Sequence, residues 1–381
     1  VRDLVEIGIG RTARRAYELD DVEIIPSRRT RSSKDVSTAW QIDAYRFEIP
    51  LVTHPTDAIV SPRTAVAVGE LGGLGVLNAE GLWARHADVD EVLFRLVQAV
   101  EESAESGEDL AGPVRLLQEL HAAPVRMDLI TEAIRQVRES GVTVAVRVSP
   151  QHAAELTPDL LAAGVEILVV QGTIISAEHV ARNGEPLNLK RFIADLDVPV
   201  IAGGVGDYRT AMHLMRTGAA GVIVGYGYAP GVTSTDAVLG IGVPMATAIA
   251  DAAAARRDYL DETGGRYVHV LADGGMLTSG DIAKAIACGA DAVMLGEPLA
   301  AATEAPGQGL YWTASAAHPS VPRSHVSAGI DQEVDLRTLL FGPATDPRGV
   351  TNLFGSLRRA MAKTGYSDLK EFQKVGLTIR G

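Results

Sequence analysis

Four strand-terminal glycine sites in this sequence have the type and spacing to hold an anion. A shift of 71 residues lays Gly203-Gly204 on Gly274-Gly275, Gly218 on Gly289 and Gly225 on Gly296. The flanking text matches too, GAAGVIVG against GADAVMLG. Each copy reads strand, Gly-Gly turn, helix, Gly-Ala, strand, Gly. Glycine there lets backbone N–H groups approach a phosphate, although such glycines also simply end strands and helices. Two copies in register favour the phosphate reading. Asp273 stands immediately before the second Gly-Gly pair. His54, Asp57, Arg147 and Gln171 fall at or near expected strand ends, where each could hydrogen-bond a ligand or simply fix a turn. His152 and His179 begin helices and read better as capping or surface residues. A nucleophile is harder to find. Cys288 is the only cysteine, which excludes a disulfide framework, a CxxC pair and a four-cysteine zinc site. No cluster has metal-ligand spacing, so no metal is expected.

Eight short apolar runs would position these residues: 49–53, 75–78, 143–148, 166–170, 198–202, 221–224, 267–272 and 291–295, numbered β1 to β8. Each is apolar at nearly every position, as parallel strands covered on both faces require. Helical patterns such as 62–70, 153–162 and 281–288 lie between them, opened by Ser, Thr or Pro and closed by Gly. Eight strand–helix units are the count of a TIM (β/α)8 barrel, an α/β fold. The four glycine sites then share its C-terminal face, where such barrels place their chemistry. Residues 1–47 read as an N-terminal arm, 48–305 as the barrel and 306–381 as a C-terminal segment expected to fold over the mouth. That last segment carries helical patches at 352–363 and 367–375, and extra helices are expected within 103–131.

Composition bounds the function. The 381 residues are 46% hydrophobic and 22% charged, enough for a sizeable core. A net charge of −13 argues against nucleic acid as a partner. The one basic run, Arg28, Arg29, Arg31 and Lys34, is short and reads as a solvated arm. No apolar run is long enough to span a bilayer, so no membrane partner is expected. The N-terminus carries acids and no apolar signal region, so a cytoplasmic location is expected.

Several stretches point to one family: IGRTARRAYELDD, PTDAIVSP, GVGDYRTAMHLMRTGAAGVIVGYG, LGIGVPMATAIADAAAARRDY, LADGGMLTSGDIAKAIACGADAVMLG, EAPG and LRRAMAKTGYSDLKEF. Together they resemble the IMP dehydrogenase/GMP reductase family over nearly the whole chain, and most closely its actinobacterial branch without CBS modules. The resemblance implies a purine 5′-monophosphate at the barrel mouth and NAD(P) as the hydride partner. It implies ribose binding by Asp273 and a phosphate cradle at Gly274, Gly275 and Gly296, with Gly203 and Gly204 on the same rim. It also implies a homotetramer or an octamer of stacked tetramers.

The chain departs from the family where the chemistry lies. The family's nucleophilic cysteine sits in the loop that here runs from Gly225 to Val243, and that loop has none. Alignment on Gly240-Ile241-Gly242-Val243-Pro244 puts Thr233 at the nucleophile position, and a hydroxyl is a far weaker nucleophile than a thiolate. Thr235 and Glu304 match the Thr and Glu that assist catalysis in the family, though both types are also common in loops. Asp236 replaces the family's Arg. Thr56 replaces a Met beside the base, and Gly204 replaces an Asn. After β4, Val170-Gln171-Gly172-Thr173 replaces an Asp-Ser pair near the nicotinamide. Glu297 follows Gly296 where the family has Ser; a carboxylate there would oppose a phosphate unless it turned outward.

Two readings follow. One is an oxidoreductase with weak or lost family-type activity, with Thr235 and Glu304 as surviving catalytic groups. The other is a non-catalytic paralogue that binds a nucleotide or regulates a relative. A phosphate-binding barrel of other chemistry is more distant. Cys288, placed at the end of the helix before β8, is expected near the barrel floor as a small apolar residue.

Overall fold

The computed structural model describes residues 4–177, 186–229, 232, 235–315, 325–344 and 346–380. The barrel strands are β1 Leu51–Thr53, β2 Val76–Asn78, β3 Ala145–Val148, β4 Ile167–Gln171, β5 Val200–Val205, β6 Gly221–Tyr228, β7 His269–Gly274 and β8 Ala292–Leu295. They form one parallel sheet in the order β1-β8-β7-β6-β5-β4-β3-β2. Its two edges meet at a parallel bridge between Val52 and Leu74. There the Leu74 N–H donates to the Leu51 carbonyl at 2.8 Å and the Thr53 N–H to the Leu74 carbonyl at 3.0 Å, closing the barrel. All eight expected strands are present. The largest boundary difference is at β6, where Gly225 reads as the start of a loop but the strand continues, across a register shift after Val224, to the pairing of Tyr228 with Gly274.

The local sequence explains the elements. Every residue of β3, β4 and β8 is buried, as a sheet covered by helices demands. The helix Pro62–Glu70 starts with proline in its first turn, and the Thr64 N–H donates to Ser61 Oγ at 3.0 Å. Thr278 and Asp281 form the same kind of box at the start of Ser279–Cys288. Three helices, Val89–Ser106, Ala111–Ala122 and Met127–Glu139, fill the β2–β3 connection and account for the expected extra helices.

The basic residues Arg28, Arg29, Arg31 and Lys34 are exposed to solvent as expected, while the arm that carries them is held to the rest of the chain. Val22–Ile24 pairs antiparallel with Leu377–Ile379, so the arm is joined to the C-terminal segment. The Arg31 N–H donates to the Ala362 carbonyl at 2.8 Å and its Nε to the Gly365 carbonyl at 2.7 Å. The hairpin of Trp40–Ile42 and Tyr45–Phe47 closes the barrel floor. Its Ile42 lies against Gly221 and its Trp40 against His269, the first residues of β6 and β7. In the C-terminal segment the expected patches form the helices Leu353–Lys363 and Leu369–Phe372. A further helix, Leu336–Phe341, lies in a stretch that reads as loop. Among the described residues no helix is long and apolar enough to cross a membrane.

Candidate functional site at the barrel mouth

Asp273, at the C-terminal end of β7, is the centre of the mouth. It is 2% exposed, and its Oδ2 accepts from Gln171 Nε2 at 2.7 Å and from His54 Nδ1 at 3.1 Å. The other imidazole nitrogen, Nε2, accepts from the Ala314 N–H at 3.1 Å. That bond fixes the tautomer: Nε2 carries no proton, so Nδ1–H is the donor to Asp273. β1, β4 and β7 are thereby tied to a strap, residues 310–315, from the C-terminal segment.

The strap fills the mouth. Tyr311 and Trp312 are each 1% exposed, and the Thr56 hydroxyl donates to the Trp312 carbonyl at 2.6 Å. Burial, then the charges of Asp273 and Glu297, hold the Tyr311 hydroxyl well above its ordinary pKa, so it stays protonated. Asp273, Gly274, Met294, Gly296, Glu297 and Tyr311 are among the residues lining a space of about 20 Å³, room for roughly one water. No Lys, Arg, His or Cys is among its described lining residues.

Five of the repeat glycines are required by the close approach of neighbouring atoms. A Cβ would come inside 3 Å of Ile223 at Gly203, of the Gly225 carbonyl at Gly204, and of the Tyr228 N at Gly274. At Gly296 it would strike the Tyr311 hydroxyl, and at Gly225 the Asp273 carbonyl. Strand ends that crowd together this closely admit only glycine. The Gly275 N–H donates to the Tyr228 carbonyl at 3.0 Å, so it is already used within the rim.

Glu297 does not turn outward to solvent. It sits half-buried in the mouth, its Oε2 shielded and without a hydrogen-bond partner. Burial raises its pKa above the ordinary carboxylate value. Thr235 is buried at the start of Thr235–Leu239. The Glu304 carboxylate accepts the Leu336 N–H at 2.8 Å, at the start of Leu336–Phe341. No hydrogen bond joins Thr235 to Glu304 among the described residues. Thr233 and His179 lie outside the described residues.

Arg147, at the end of β3, donates through Nε and Nη2 to the Gln171 carbonyl at 3.1 and 2.8 Å. Its guanidinium also faces Glu80 at 3.5 Å. Burial pushes Glu80 up, but Arg147, the Ser149 N–H and His152 outweigh it and hold the carboxylate below its usual value. His152 is thus a partner of Glu80 as well as a helix-start residue. Asp57 accepts the Leu82 N–H at 3.0 Å and faces the buried His121 at 3.6 Å. Among the described residues no group of three His, Cys, Asp or Glu has metal-binding geometry. Glu80 was not singled out from sequence; residues 310–315 meet the expectation that 306–381 folds over the mouth, but the strap's own residues were not named, and the Tyr311-Trp312 pair within a Gly-rich segment is the one signal that marks them.

Cys288 lies away from the mouth, in an outer groove with Ala253, Arg256, Tyr267 and Gln373. Burial, opposed by Lys284, pushes its pKa up to about 11, so the thiol is a poor nucleophile.

A model of the IMP dehydrogenase/GMP reductase domain matches residues 16–319. A protein called an uncharacterized oxidoreductase in Mycolicibacterium smegmatis is 67% identical, over 99% of this chain and 100% of its own length. An inosine-5′-monophosphate dehydrogenase of Methanocaldococcus jannaschii is 26% identical, over 95% of this chain and 92% of its own. The crystal structure of an IMP dehydrogenase/GMP reductase-like protein from Corynebacterium glutamicum superposes with a TM-score of 0.93 at 58% identity, covering 99% of this chain and 98% of that one.

Proposed function

The chain belongs to the IMP dehydrogenase/GMP reductase family of oxidoreductases, and from that premise we propose that its barrel mouth is a purine site. At that site, family-type hydride transfer between a purine 5′-monophosphate and NAD(P) is weak or lost. One observation carries this reading: the sole cysteine, Cys288, lies in the helix Ser279–Cys288 and lines an outer groove instead of the mouth loop. Covalent attack on a purine ring needs a thiolate or a base-activated hydroxyl. Thr233, Thr235 and Glu304 are the groups left at the family's catalytic positions.

The residues after β4 do not fit a nicotinamide. The Gln171 amide is turned to Asp273, its carbonyl is taken by Arg147, and the Gly172 N–H donates to the Gly203 carbonyl at 3.0 Å. We therefore derive no step through NAD(P). The engagement of Asp273 by Gln171 and His54 favours a second reading, a nucleotide-binding or regulatory paralogue without turnover. A homotetramer or octamer accompanies either reading.

Purified protein with IMP and NAD, or with GMP and NADPH, tests turnover through nicotinamide absorbance. Robust turnover in either direction sinks the proposal of weak or lost activity. Thermal shift with IMP, XMP and GMP, together with inosine and guanosine, tests the purine site. No stabilisation by any of them would remove it. Thr233→Cys raising a trace activity would support the assignment of that position.

A further inference from the structure

An antiparallel ribbon, Leu4–Gly8 with Arg11–Arg14, stands apart from the barrel, pairing Val5 with Ala13 and Glu6 with Thr12. Every residue of Leu4–Gly8 is exposed; Leu4 is 64% and Ile7 68% exposed, and Ile9 at the turn is fully so. Two strands alone are marginal in water unless a further apolar surface covers them. The chain tethers only the ribbon's base to the helix Met245–Thr263. There Arg14 Nη2 donates to Asp251 Oδ1 at 3.0 Å, and the Tyr17 N–H donates to Thr247 Oγ1 at 2.7 Å. Leu4, Ile7 and Ile9 stay outside.

A second apolar surface lies in the mouth loop, on the segment 235–241. Val238 is 70% and Leu239 60% exposed, with Ile241 also exposed beside them. Exposed side chains of this size, grouped on a short segment, mark a contact surface. The charges of the two surfaces are complementary. Arg11 and Arg15, on the ribbon and at its base, are exposed and have no ion-pair partner among the described residues. Asp236, on the helix Thr235–Leu239, is exposed and unpaired in the same sense. A third exposed group, Ile25 with Leu377 and Ile379, lacks this feature, because the neighbouring Glu23 is already paired with Lys284 and Arg380.

We propose that the ribbon of one copy docks on the segment 235–241 of a second copy, apolar on apolar, with Arg11 toward Asp236. The two surfaces are different patches of one chain, so the contact is head-to-tail and repeats until a ring closes. Each mouth loop is then covered by a neighbour's Ile7 and Ile9, next to the buried Thr235. The contact does not depend on which ligand the mouth takes.

Cross-linking of the full chain tests this. Two variants in a Cys288→Ala background, Ile7→Cys and Val238→Cys, are co-expressed with different C-terminal tags and treated with a short bis-maleimide. A covalent pair joining the two different chains is expected, and neither variant alone should give one. Linkage of Ile7→Cys to itself, or none in the mixture, overturns the proposal. Light scattering of Ile7→Glu/Ile9→Glu gives a second reading, with circular dichroism to confirm that this surface variant is folded. Its association is expected to weaken at least about tenfold, as loss of central apolar contacts would require. Association as tight as wild type, or a wild type that stays monomeric, overturns the proposal as well.

Discussion

Removing the Asp273 carboxylate should both destabilise the barrel and loosen the strap. In Asp273→Ala, two buried donors lose their acceptor: Gln171 Nε2, at 2.7 Å, and His54 Nδ1, at 3.1 Å. His54 cannot recover by moving its proton, because its other nitrogen would then face the Ala314 N–H as a donor. Leaving a buried donor unpaired costs about 1–3 kcal/mol each, and relief from burying a carboxylate returns part of that. The net expectation is a loss of about 3 kcal/mol. Asp273→Asn is the control. Its amide oxygen, placed where Oδ2 lies, still accepts from both donors, while its NH2 takes the Oδ1 position 3.3 Å from His54 Nδ1, so its cost should be smaller, about 1–2 kcal/mol. Urea unfolding read from the midpoint and slope measures the difference. Hydrogen exchange at the Ala314 amide supplies an independent reading, since that N–H is held by His54 alone in the chain of bonds described. Its protection should fall in Asp273→Ala and persist in Asp273→Asn. Equal stability of the two variants, or unchanged Ala314 exchange in Asp273→Ala, would refute the idea that Asp273 holds the strap through His54.

Asp291 is wholly buried among Arg256 at 2.6 Å, Lys370 at 2.7 Å and the Tyr267 hydroxyl at 2.7 Å. Burial pushes its carboxyl up, but Arg256, Lys370 and His269 overcome this and hold it far below the ordinary carboxylate value. A depressed pKa contributes stability above the unfolded value of about 3.9, and that contribution is lost as pH falls. Asp291→Asn should therefore cost about 3–5 kcal/mol at neutral pH, with the gap to wild type narrowing near pH 3; a gap in urea unfolding that stays constant would contradict this. Cys288, raised to about 11 by burial, should react with iodoacetamide about two orders of magnitude more slowly at neutral pH than an exposed cysteine. Mass spectrometry after timed labelling checks it, and prompt stoichiometric modification would count against the packing described. Gly225 has φ +103° and no room for a Cβ beside the Asp273 carbonyl. Gly225→Ala should cost at least about 2 kcal/mol in thermal or urea unfolding, and a stability equal to wild type would show that the rim can relax.

The barrel itself was legible because its signals are local and repeated. Buried parallel strands are apolar at nearly every position, and the 71-residue repeat places Gly203-Gly204 and Gly274-Gly275 on the same rim. What the glycines do was less legible, since anion access and close backbone approach demand the same residue. Only geometry showed Gly204 against the Gly225 carbonyl and Gly274 against the Tyr228 N. The orientation of Glu297 was equally hidden, because a residue after a strand-terminal glycine can face either way. The fold of the C-terminal segment over the mouth was expected, but the residues that make the strap were hidden for a different reason. Its hold on the mouth runs from Ala314 to His54, across 260 residues of sequence, and its segment has no period of its own. The helix Leu336–Phe341 is too short for its apolar pattern to stand out from the loops around it.

The strand Val22–Ile24 pairs with Leu377–Ile379, on the other side of the barrel in sequence. A ribosome must release the whole barrel before that ribbon can form, so the arm waits through synthesis without its mate. Contacts of this sequence separation close late and slow the final stage of folding.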